Sequence, residues 1–68
     1  MEEVIIVTRD INGLRTNHCL HWDSVCTYIQ ENFTDEDEIM LVIVEGACVY
    51  SYLSSNEITI GDLLGFFA

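Results

Sequence analysis

The chain has 68 residues, half of them hydrophobic, and its twelve carboxylates face two arginines and no lysine, a formal net charge of −10 at pH 7. A chain this short forms one domain, residues 1–68, and its apolar content excludes a disordered acidic tail. The charge argues against direct binding of DNA or RNA and against docking on anionic lipid headgroups.

The chain opens with Glu2-Glu3-Val4-Ile5-Ile6-Val7-Thr8-Arg9, a β-branched run that reads as a strand. Asn12-Gly13 is a turn signal, after which Leu14 to Cys19 returns as a second, shorter strand. From Trp22 the period changes. Trp22, Val25, Cys26, Ile29 and Phe33 form one apolar stripe at helical spacing, with Asp23 at the positive end of the helix dipole. That helix should end near Asn32, before Thr34-Asp35-Glu36-Asp37-Glu38.

Ile39 to Val44 is continuously apolar and β-branched, which predicts a central strand buried on both faces. Glu45-Gly46 marks a turn, and Ala47 to Leu53 alternates as a half-exposed strand. Ser54 to Glu57 is a loop, and Thr59 to Phe67 reads as a short terminal helix capped by Thr59. The expectation is an α+β fold: a small antiparallel sheet of three to four strands, one main helix and a short C-terminal helix, in the order ββαββα or βαββα. Trp22-Asp23-Ser24-Val25 and Ile60-Gly61-Asp62-Leu63 would each open the helix of a hairpin-plus-helix half.

Cys19, Cys26 and Cys48 are an odd number, and no basic stretch followed by an apolar core resembles a signal peptide. The longest apolar run, Ile39 to Val44, is far short of the roughly 20 residues that span a bilayer. The expected location is the cytoplasm of the host cell, with reduced thiols. So small a core also makes a homodimer an expected alternative to the monomer.

The charged fraction, 21%, is ordinary for a soluble domain, so the anomaly is one of sign. An excess of like charge destabilises the compact state, and a contribution to function would explain its retention. Asp35, Glu36, Asp37 and Glu38 are its sharpest local expression. In extended backbone, alternate carboxylates of such a run repeat about every 6.6 Å. With Glu31 one helical turn back, negative charge gathers at one end of the domain, matched to a basic protein surface. The competing reading is a solvated loop that keeps the apolar strand after it soluble. Tyr50 and Tyr52 fall on one strand face and, if exposed, would add anchors of the kind enriched at protein interfaces.

No catalytic or cofactor pattern competes. The acidic run lacks the central glycine of a calcium loop. His18, Cys19, His21 and Cys26 carry zinc-ligand chemistry, but their spacing matches no usual zinc pattern. Neighbours on a strand such as His18 and Cys19 also point to opposite faces. The expectation is therefore no enzyme activity, no metal and no cofactor.

The length, the sign of the charge and the Asp35-Glu36-Asp37-Glu38 run resemble the small acidic inhibitors carried by phages and other mobile elements. That group includes DNA-mimic and some anti-CRISPR proteins. The resemblance implies an inhibitor that occupies the nucleic-acid-binding groove of a host defence or DNA-processing complex. Glu31, Asp35, Glu36, Asp37, Glu38, Tyr50 and Tyr52 are the candidate contacts. The alternative is a small assembly or regulatory module that binds through an apolar tyrosine and phenylalanine surface.

Overall fold

The computed structural model describes residues 2–54 and 56–68, so Ser55 of the expected loop lies outside the described residues. β1 (Glu3–Arg9) and β2 (Arg15–His21) form a hairpin, and a 3-10 turn (Trp22–Ser24) leads into α1 (Val25–Asn32). β3 (Glu38–Val44) and β4 (Ala47–Ser51) form a second hairpin, followed by α2 (Ile60–Phe67). The strands make one antiparallel sheet in the order β2-β1-β3-β4. This is the α+β fold expected from the sequence, with hairpin and helix occurring twice in succession.

Alternation along the strands decides which side chains meet the helices. Val4 and Ile6 of β1 and Ile39 and Val42 of β3 point to one face, where Val25, Ile29 and Phe33 cover them together with Leu63 and Phe67 of α2. Burial of each such side chain contributes about 1.5–3 kcal/mol, so one dense layer carries most of the stability. Trp22 packs on Phe67 with ring centroids 4.8 Å apart and closes the layer at one end. The terminal Phe66-Phe67 pair is split: Phe67 is docked, whereas Phe66 stays 53% exposed.

The hairpins turn differently. The β1–β2 loop spans Asp10 to Leu14, and the Asp10 carboxylate accepts the N–H groups of Asn12 and Leu14 at 2.9 Å each. Gly13 supplies the positive φ of 84°. β2 is not shorter than β1, because both strands have seven residues in full register. In the β3–β4 turn Glu45 and Gly46 both have positive φ, 51° and 81°, the pattern of a type I′ turn. Glu45 tolerates this while tying down β1. Its N–H donates to the Glu3 carbonyl, and its Oε1 accepts the Glu3 N–H, both at 2.9 Å.

α2 starts on a capping box. Thr59 Oγ1 accepts the Asp62 N–H and Asp62 Oδ2 accepts the Thr59 N–H, each at 3.1 Å. Two glycines in the helix are therefore offset by a well-satisfied first turn.

A second expectation is corrected. β3 is central but not buried on both faces: Leu41 and Ile43 are only half-buried, because both helices lie on the opposite side of the sheet. Among the described residues no helix is long and apolar enough to cross a membrane.

Candidate functional site

All twelve carboxylates fall among the described residues; nine are exposed and none is buried. Their hydrogen bonds sort them by use. Asp10, Asp37, Glu45 and Asp62 accept backbone N–H groups in turns and caps, and Glu38 pairs with Arg9. Asp23 lies 3.6 Å from His21 Nδ1. Glu2, Glu3, Glu31, Asp35, Glu36 and Glu57 take part in no side-chain hydrogen bond or ion pair among the described residues. Four of these six belong to one end of the domain.

That end is built by the chain leaving α1 and the chain entering α2. Glu31 sits in the last turn of α1, at the negative end of its dipole, and no basic residue occupies that turn. Thr34 then starts a tight turn. Asp37 folds back to accept the Thr34 N–H at 2.9 Å, and Thr34 Oγ1 receives the Glu36 N–H at 3.3 Å. Asp35 and Glu36 are thereby held outward and exposed. Asp35 and Asp37 line a cleft of about 190 Å³ with Glu57, Ile58, Thr59 and Ile60. The positive end of α2 opens beside this cleft and offsets part of the repulsion.

The acidic run is therefore not an extended array. Only Glu38 lies in the strand, where Arg9 neutralises it, and Asp37 serves its own turn. The outward set is Glu31, Asp35, Glu36 and Glu57. Glu57 escapes sequence reasoning because it lies 19 positions beyond the run, and only the path into α2 brings it near Asp35.

The tyrosines also separate. Tyr50 is 9% exposed and belongs to the helix-covered core, so it is not a surface contact. The cause is a bulge at Val49, one residue extra in β4. Ile43 pairs with Cys48 but Val42 pairs with Tyr50, which rotates Tyr50 to the helix side. Tyr52 lies past the end of β4 and is 37% exposed. Beside Tyr50, Val49 and Phe66 are exposed at an apolar cleft of about 200 Å³ between β4 and α2.

Tyr50 has a buried hydroxyl with no hydrogen-bond partner among the described residues. A buried unpaired hydroxyl costs about 1–3 kcal/mol. Tyr50→Phe is therefore expected to raise stability by about 1 kcal/mol, read by urea denaturation, and to leave partner binding unchanged. A destabilised Tyr50→Phe protein would show that the hydroxyl is satisfied.

His18, Cys19, His21 and Cys26 do not converge. His18 faces α1, where its Nε2 is 2.9 Å from Thr8 Oγ1 and its Nδ1 is 2.9 Å from the Tyr28 hydroxyl. Its ring also packs against Phe33, with centroids 4.8 Å apart. Cys19 is exposed on the other face of the sheet, His21 Nδ1 accepts the Asp23 N–H, and Cys26 Sγ points at the Leu64 carbonyl. Among the described residues no group of three or more His, Cys, Asp or Glu is arranged to hold a metal ion. Comparison with family models, curated proteins and solved structures returns no match to this chain.

Proposed function

We propose that the protein is a non-enzymatic acidic inhibitor that sets its acidic end on a basic, nucleic-acid-binding surface of a host defence or DNA-processing protein. Glu31, Asp35, Glu36 and Glu57 stand in for phosphates, as in the DNA-mimic and anti-CRISPR inhibitors of phages that the composition resembles. The supporting observation is that these four carboxylates are exposed and unused by the fold, with Asp35 and Glu57 lining one cleft despite their separation in sequence. A solubility device would need charge but not this concentration of unpaired charge at one end. An arginine- and lysine-rich groove relieves the repulsion and steers the encounter from a distance, an effect that weakens with salt. The action is placed in the cytoplasm of the host cell, where such grooves are found.

The test is affinity capture from host lysate at low and high salt with the wild-type chain and a four-amide variant (Glu31→Gln, Asp35→Asn, Glu36→Gln, Glu57→Gln). The expected result is a nucleic-acid-binding partner lost in high salt, with affinity for the variant reduced about tenfold or more. The variant should melt no lower than the parent, since none of the four side chains holds the fold together. A partner retained by a folded variant in high salt sinks this reading. It would favour the second one, an assembly or regulatory module that binds through Val49, Tyr52 and Phe66 beside the β4–α2 cleft.

A further inference from the structure

The sheet has one face with no helix on it. Its centre is two rows that run across the four strands: Cys19, Ile5, Ile43 and Cys48, then Asn17, Val7, Leu41 and Ser51. Ile5, Val7, Leu41 and Ile43 form a half-buried apolar square in the middle, none of them part of the core cluster. The apolar run of β3 reads as a strand covered twice, yet the fold covers it once.

Charge identifies what can cover the other side. Both arginines of the chain lie on this face at one end, where Arg9 and Arg15 are paired residues of β1 and β2. Glu38 beside Arg9, and Glu3 with Glu45 hydrogen-bonded to its backbone at the opposite end, set three carboxylates against the two arginines and separate the charge along the strands. Among the described residues no carboxylate other than Glu38 pairs with an arginine. This is the one face on which a second copy of this chain meets cationic side chains, because both arginines lie on it. Glu3 and Arg15 are without ion-pair partners among the described residues.

We propose that this face is the interface of a symmetric homodimer. The two-fold axis runs across the strands between the two apolar rows. Rotation about it lays Ile5 and Ile43 over Val7 and Leu41 of the second copy. It sets Glu3 over the Arg9–Arg15 end, and symmetry makes each such contact twice. The strands of the two sheets are then antiparallel and nearly aligned, the usual geometry of stacked sheets about 10 Å apart. An axis along the strands would instead set arginine on arginine, so the charges choose between the two arrangements. Four strands about 4.8 Å apart and seven residues of about 3.3 Å give a flat footprint of about 440 Å². That is small beside the roughly 800 Å² per partner of a standard interface, so the dimer is reversible.

The test is sedimentation velocity from low micromolar to millimolar protein, on the full chain under reducing conditions. The expected result is a concentration-dependent dimer. Arg15→Glu sits on an exposed edge-strand position with no role in the core and should weaken the dimer about tenfold. Glu3→Arg should do the same, and the two together should restore it. Ile43→Thr, which keeps β-branching, should also weaken it while the circular dichroism spectrum is unchanged. A chain that stays monomeric at millimolar concentration overturns the proposal, as does a dimer indifferent to Arg15→Glu. A charge swap that fails to restore association overturns the proposed axis. The four-amide variant lies off this face and should dimerise at least as well as wild type, so the two interfaces succeed or fail separately.

Discussion

Ile29→Ala is expected to lower the melting temperature by about 10 °C or more, whereas Ile11→Ala should leave it nearly unchanged. The two substitutions delete the same atoms from different places. Ile29 is fully buried in the middle of α1, in contact with the layer that holds both hairpins to the helices. Removing a buried isoleucine to alanine costs about 2–5 kcal/mol, part from lost transfer energy and part from the cavity left behind. A domain of this size has about 3–10 kcal/mol in total. Ile29→Ala therefore removes a large share of the stability. Ile11 is 74% exposed at the tip of the β1–β2 loop, where a change within about 0.5 kcal/mol is expected. Thermal melts of both variants beside the wild type make the comparison. Equal effects at the two positions would contradict the core as described.

The fold was legible because each element repeats a simple pattern. β1 and β3 are β-branched runs bounded by acidic residues, and α1 carries its stripe from Val25 through Ile29 to Phe33. The cap at Thr59 was readable as a threonine just before the helical stretch, whereas its reciprocal bond with Asp62 came from the structure. What the sequence hid came from single-residue insertions and from the path of loops. The bulge at Val49 reversed the sense of β4, so Tyr50 turned inward and Val49 outward. No pattern of alternation carries that information, since the extra residue looks like any other β-branched position. The acidic run was visible, but its division into outward Asp35 and Glu36, a turn-forming Asp37 and a paired Glu38 depends on Thr34 and Arg9. Glu57 joined the site through tertiary placement alone. The uncovered sheet face was hidden for a different reason: a continuously apolar strand reads the same whether its second cover is a helix or another molecule.

Salt and acid should move the stability in opposite directions. Added salt screens the twelve carboxylates and should raise the melting temperature. Acid neutralises charge as well, but His18 opposes its effect. Burial lowers the His18 pKa from its ordinary value near 6.5, and Asp37 nearby pulls weakly the other way. Thr8 and Tyr28 hold the ring on its two nitrogens, and one hydroxyl can donate while the other accepts, which suits the neutral imidazole. In the unfolded chain His18 takes up its proton as the pH falls through about 6.5, while the folded chain resists until a lower pH. In that window the unfolded state binds more protons, so stability is full above 6.5 and declines as the pH falls toward the lowered value. The melting temperature should therefore drop between pH 7.5 and 5.5 at constant ionic strength, despite the falling net charge. His18→Gln removes the titration and keeps a polar group for Thr8 and Tyr28, so its melting temperature should be flat or rise over the same interval. A wild-type curve that rises steadily from pH 7.5 would mean that self-repulsion outweighs the histidine, and that the acidic end strains the fold more than its geometry indicates.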